Sequence, residues 1–328
     1  MFFGFDDDQL AFRDAARDLL DKECPPATVR AAATVPAGAL DRDVWRRLGE
    51  MGVLHTLVAE AHGGLGLDEQ SLVLVLEEAG RAALPHPLVD TAAVAAPLLA
   101  GWSSPGTPGA GIVATDLGGV NVACAADADR LLLHDPGDRA LHLVDPASVD
   151  LTPVATVDRA RRAATVDWTP APGTLVTGDP ADIDLARDRG AWGTAAVLVG
   201  LGQRMLDMTV AYVGERRQFG APVGSFQAVK HHLADAHKDL AFARPAVHRA
   251  AHSLATGAAT RARDVSMAKA LASDAAWRAG RAALQCHGAI GYTVEHDLHL
   301  YLQRTWALAK AWGDAGWHRD RVARAIGV

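Results

Sequence analysis

Cysteine is scarce in this chain: three in 328 residues, at Cys24, Cys124 and Cys286. Positions so far apart offer neither a disulfide framework nor a CxxC metal knuckle. No stretch reaches the ~18 consecutive apolar residues of a spanning helix. The opening MFFGFDDDQLAF carries three acids where a secretory leader needs a basic start and an apolar run. Basic blocks are missing too. Lysine and arginine total 32 against 39 acids, leaving −7, and the arginines are interleaved with carboxylates, as in DRDVWRR and TRARD. A nucleic-acid binder concentrates its positive charge. The balance therefore points to a solvated surface of mixed sign on a cytoplasmic protein that engages neither nucleic acid nor membrane.

What is present suits a globular fold. With 49% hydrophobic and 22% charged residues, 34.4 kDa supports two modest domains or one large one. Residues 1–100 read as helical. Asp6 to Asp8 supply N-cap chemistry ahead of Leu10, Phe12, Leu19 and Leu20, and Cys24-Pro25-Pro26 breaks that helix. Asp41 opens a second helix through Val44, Trp45 and Leu48, with Gly52 as its stop. His62-Gly63-Gly64-Leu65-Gly66-Leu67 precedes a third helix over 68–83, and a fourth starts at Thr91 beyond Pro85 and Pro87. The glycine turn has neither GxGxxG nor GxxxxGK spacing, so it reads as a tight connection needing positive φ rather than a phosphate cradle.

Residues 101–180 change character. GWSSPGTPGAG opens the zone, and short β-branched runs follow at 111–115, 120–123, 131–134, 141–144 and 164–168, separated by Pro, Gly and Asp clusters. That is the signature of a small β domain. Residues 181–328 return to helix. Val229, Leu233, Ala236, Leu240, Ala243, Val247, Ala250 and Leu254 step by four and three, and Val265, Ala268, Ala272, Ala275, Ala279 and Ala282 repeat the rule. Further helices run through Trp192, Ala196 and Val199 to Tyr212, and over 297–311. Together they predict a four-helix bundle, giving a mainly α protein with a small central β domain.

Four stretches resemble the acyl-CoA dehydrogenase family. They are VWRRLGEMG (44–52) with HGGLG (62–66) and EEAG (77–80); YVGERRQFG (212–220) with QAVK (227–230); LAD (233–235); and QCHGAIGYT (285–293). The resemblance implies FAD as cofactor. In the family these motifs reach across a subunit interface to the adenosine diphosphate half of a partner's FAD, which would place Arg216, Gln218, Phe219, Gln227, Gln285, Gly288 and Ala289 at that cofactor. Arg216 offers a planar fork of donors for a pyrophosphate. Phe219 and Gly220 would end a helix there. Ala289 stands where the family usually has a second glycine. Cys286 and His287 lack metal-ligand spacing and read as packing or rim residues.

The departures are as informative. The family's base is a glutamate in a turn downstream of the fourth motif, and the matching place here is Trp312-Gly313-Asp314-Ala315. Relatives that carry the base on the first bundle helix match Gly190-Ala191. The slots themselves fall on Trp312-Gly313 and Gly190, which offer no carboxylate to take an α proton; Asp314 and Asp188, each two residues from its slot, stand nearest as displaced bases. The β zone also lacks the family's flavin-clasping segments. The implied protein is therefore an FAD-sharing, non-catalytic subunit of a heteromeric (α2β2) acyl-CoA dehydrogenase. A homologous partner would supply the catalytic glutamate, and the substrate would be a bulky acyl-CoA of the steroid side-chain kind. Two other readings stay open: a homomeric flavoenzyme with a displaced base or different chemistry, and a flavin-free helical scaffold.

Overall fold

The computed structural model describes residues 4–100 and 111–328. The glycine- and proline-rich opening of the β zone, 101–110, lies outside the described residues.

Asp6 caps α1 (Asp7–Glu23) with a full capping box: its carboxylate accepts from Gln9 N at 2.8 Å and Gln9 Oε1 accepts from Asp6 N at 3.1 Å. Cys24 ends the helix, and the second proline starts α2 (Pro26–Ala32). α3 (Asp43–Glu50) begins two residues after Asp41, whose side chain accepts from Asp43 N. Asp68 caps α4 (Glu69–Arg81). The HGGLG connection turns through Gly63 at φ +81° and Gly66 at φ +64°, as the tight-turn reading requires. Beyond Pro87 the chain winds as a π-helical turn over Val89–Ala95 before α5 (Ala96–Leu99).

The β zone is a four-stranded sheet with a separate two-stranded ribbon. β1 (Val113–Thr115), β2 (Arg130–Asp135) and β3 (Ala140–Val144) match expected runs; β4 (Asp150–Pro153) pairs with β5 (Ala164–Asp167); β6 (Leu175–Thr177) closes the sheet order β1-β2-β3-β6. The run at 120–123 forms no strand. It contributes one bridge, Val122 to Ala164.

α6 (Pro180–Glu215) leads into a hairpin of β7 (Arg217–Gln218) and β8 (Ala221–Pro222). Then come α7 (Gln227–Ala255), α8 (Arg261–His287), α9 (Leu298–Lys310) and α10 (Ala315–Ile326), the last a fifth helix packed on α8. The α7 seam is buried from Ala236 to Leu254, while Val229 and Leu233 at its start are only half-buried.

α4 and α6 cross at backbone contact. A Cβ on Gly80 would lie 2.1 Å from Val197 O, and one on Gly200 1.9 Å from Glu77 O. The EEAG motif is thus a packing device. Glu77 accepts from Arg244 Nε at 3.0 Å and pairs with His248 at 2.8 Å, and Glu78 holds Arg17 at 2.6 Å, so α4 is braced to α7 and α1.

Candidate functional site

The seven residues expected at a cofactor are all exposed, and they sit on three neighbouring helix ends. α6 stops at Glu215. Arg216 is its C-cap, held by a hydrogen bond from its own N to Tyr212 O at 2.9 Å, and Val223 N donates to Arg216 O at 2.7 Å. Its guanidinium makes no ion pair or side-chain hydrogen bond among the described residues. Asp207, a possible surface partner, is taken by Arg81 at 2.7 Å instead. Phe219 and Gly220 do not end a helix as expected. They form the two-residue turn of the β7–β8 hairpin, with φ of +51° and +79°, the pattern of a type I′ turn. Phe219 is 94% exposed and meets Phe226 edge-on at 6.2 Å. Gln218 Nε2 donates to Arg217 O. Gln227 is the first residue of α7.

The third helix end belongs to α8. Gly288 caps it at φ +64°, with no atom within 4 Å of a notional Cβ. Tyr212 stacks on His287 with ring centroids 4.5 Å apart, and His296 meets His287 at 4.6 Å. His287 Nδ1 lies 2.8 Å from Ala283 O. His287 is therefore a packing residue that fastens the YVGERRQFG and QCHGAIGYT segments together. Gln285 faces an open groove between α7 and α8, and Ala289 continues the exposed edge.

The two aspartates nearest the base positions are otherwise engaged. Asp188 is 0% exposed; Arg261 Nε donates to one oxygen at 2.9 Å and Arg321 Nη1 to the other at 2.6 Å. Asp314 caps α10, accepting from Trp317 N at 3.0 Å and from Lys310 Nζ at 3.1 Å. Those bonds hold its carboxyl below the usual range, which weakens it as a base.

Trp312 and Gly190, far apart in sequence, meet face to face. A Cβ on Gly190 would lie 2.3 Å from Trp312 Cε3 and Cζ3, and one on Gly118 2.8 Å from Trp312 Nε1. The indole fills a slot cut by two glycines and is only 8% exposed. Its loop is pinned on all sides. Trp312 N donates to Gly118 O at 2.8 Å, His318 Nε2 donates to Trp312 O at 2.9 Å, and Lys269 Nζ donates to Gly313 O at 3.0 Å. Trp312 at φ +59° and Gly313 at φ +90° take left-handed backbone to do this. Burial pushes Lys269 down to about 7 and His318 down to about 4.

Comparison with known proteins places this arrangement. The acyl-CoA dehydrogenase C-terminal domain model matches residues 186–327, and the N-terminal domain model matches 6–105. The chain belongs to the acyl-CoA dehydrogenase family. It is 34% identical to acyl-CoA dehydrogenase IpdE2 of Mycolicibacterium smegmatis over 319 residues, covering 92% of this chain and 93% of that one. In fold it is similar to a chain of the ChsE4-ChsE5 complex from Mycobacterium tuberculosis, with TM-score 0.88 and 24% identity over 100% and 99% of the two chains. The Tcur3481-Tcur3483 steroid ACAD, in a variant form, matches at TM-score 0.80 and 26% identity over 98% of each.

Trp312 and Gly190 are the two places where the family resemblance leads one to expect a base. The sequence shows the two positions only as separate places without a carboxylate. The contact makes them one packing event, since an indole at 312 requires the absence of a side chain at 190. Nothing in the local pattern around either residue signals the other. Lys269, which ties the loop down from α8, was also missed; a lysine in an alanine-rich helix carries no such signal.

Proposed function

We propose that this chain is the FAD-sharing, non-catalytic subunit of a heteromeric acyl-CoA dehydrogenase that acts on a bulky acyl-CoA. The observation that carries the reading is the pairing of Trp312 with Gly190: both base positions are spent on one buried indole contact, and the nearby aspartates are committed to arginines and a helix cap. The exposed Arg216 fork, the β7–β8 hairpin and the open Gly288 end form a surface that suits an anionic diphosphate presented by another subunit. The residues present fit that half of the cofactor. For the flavin ring the β zone offers no clasping segment of the family's kind. FAD, when bound, supplies the two-electron oxidant for α,β-dehydrogenation, and a homologous partner would supply the carboxylate that takes the proton. Heteromeric and steroid-acting neighbours in fold support the partner and the substrate class. A cytoplasmic location goes with this role; among the described residues no helix is long and apolar enough to cross a membrane.

Co-expression with the neighbouring open reading frame tests the reading. The expected product is a yellow complex with one FAD per pair of chains, active on bulky acyl-CoAs, while the lone chain is colourless and inactive. Arg216→Ala in that complex should lower FAD occupancy more than it lowers folding stability, with assembly intact. Losing one side of a charged, hydrogen-bonded contact costs ~2–5 kcal/mol. A homo-oligomer carrying one FAD per chain would replace this reading with a self-sufficient flavoenzyme, and a colourless complex would leave a scaffold.

A further inference from the structure

A cavity of about 70 Å³ lies behind Trp312, between the start of the π-helical turn, α6, α9 and the β zone. Its polar lining is unusual for an interior: His86, Asp90, Cys124, Arg161 and Arg304 all face it. Arg304 is 5% exposed. Its Nε pairs with Asp158 and its Nη1 with Leu84 O, and its Nη2 has no hydrogen-bond partner among the described residues. His86 is 6% exposed. Its Nε2 donates to Asp41 O at 2.7 Å, its ring stacks on Trp45, and its Nδ1 has no hydrogen-bond partner among the described residues. The Arg161 guanidinium makes no ion pair or side-chain hydrogen bond among the described residues. Its charge is destabilised by burial and by Arg304 nearby.

Unpartnered buried donors cost ~1–3 kcal/mol each, more when charged. Two arginines at one cavity with a single paired acid between them leave an excess of positive charge. Asp90 does not cancel it by contact; among the described residues its carboxylate accepts only from Thr115 N, at 3.4 Å. Burial pushes that carboxyl up to about 7 even with Arg161 close. Near neutrality it serves as readily as a hydrogen-bond donor as a charge. The volume admits several waters at ~10–15 Å³ each, or the carboxylate end of a short-chain acid. Val89, Asp90, Arg161 and Leu308 keep partial exposure and form its rim.

We propose that this cavity is a carboxylate-binding site, in which Arg161 and the free Nη2 of Arg304 supply the cationic donors and His86 and Asp90 complete the polar wall. A planar guanidinium matches a carboxylate better than any other side chain does. The carboxylate belongs either to a small free acid or to the far end of a longer molecule. The site stands on its own residues and does not depend on the flavin-sharing role.

The test is calorimetric titration of the purified full chain with propionate, its neutral isostere propionamide, glutarate and glutaryl-CoA. Propionate or glutarate should bind, and propionamide should not. Arg161→Gln should weaken carboxylate binding by about thirty-fold or more, and Arg161→Lys should recover part of it. Circular dichroism should be unchanged, because Arg161 holds nothing else. Binding of free acids alone identifies a small acid as ligand, and binding of glutaryl-CoA as well identifies a carboxyl-ended chain. Equal binding of propionate and propionamide, no binding of any carboxylate, or an Arg161→Gln protein that binds as before would overturn the proposal.

Discussion

Trp312 and Gly190 should be thermodynamically coupled, and the size of the coupling follows from their contact. A tryptophan buries ~150–250 Å², which at ~25 cal/mol per Å² is about 4–6 kcal/mol. Trp312→Ala should therefore cost ~3–5 kcal/mol, the range for such truncations in cores. Gly190→Ala sets a methyl group 2.3 Å from two ring carbons. Overpacking of that kind costs ~1–3 kcal/mol, offset by ~1 kcal/mol of helix propensity, since residue 190 is in the interior of α6. In the double variant the clash is gone, the propensity gain remains and the new methyl fills part of the hole. The pair should then be more stable than the sum of the singles by ~2–3 kcal/mol, at the upper end of couplings between touching residues. Urea unfolding followed by far-UV circular dichroism measures all four proteins without relying on tryptophan emission. Additivity within ~0.5 kcal/mol would mean the indole does not rest on Gly190, and the single-event account of the missing base would fail with it.

Lys269 should leave a mark on the pH dependence of stability. Its folded value of about 7 lies below the ordinary 10.5, so between those pH values the unfolded chain binds the extra proton and stability rises with pH. Lys269→Met should flatten that rise by up to ~1.4 kcal/mol per pH unit; an unchanged slope in pH-dependent melting would contradict the burial. Asp188→Asn should destabilise by ~2–3 kcal/mol, below the usual cost of breaking a buried pair because Arg261 and Arg321 keep 29% and 24% exposure. If the melting temperature stays put while acyl-CoA turnover disappears, Asp188 is a base after all.

Local chemistry made most of the fold legible. Asp6 and Asp68 cap where their spacing places them, Cys24-Pro25-Pro26 breaks the first helix, and the α7 and α8 seams are buried nearly throughout. β4 and β6 escaped notice because Asp-Leu-Thr-Pro and Leu-Val-Thr are too short to show alternation. The β7–β8 hairpin escaped because Phe-Gly lacks the Asn-Gly or Asp-Gly signal of its turn type. The π-helical turn at Val89–Ala95 has no sequence mark. In the site, the residues expected at the cofactor came from resemblance, and the structure adds that they are exposed at neighbouring helix ends. The indole slot and the arginine-lined cavity were not, since each joins residues separated by scores of positions, and such contacts leave no periodicity behind.

The crossing of α4 and α6 has a consequence for how the chain is made. Gly80 leaves the ribosome 120 residues ahead of Gly200, a wait of roughly 6–24 s at ~5–20 residues per second. Through that interval the face of α4 that carries Leu76 and Gly80, set against Gly193 and Val197 of α6 in the finished protein, lacks its partner helix. The first hundred residues would thus be expected to behave as a chaperone client during synthesis, and a gene fragment ending before α6 should yield an insoluble product.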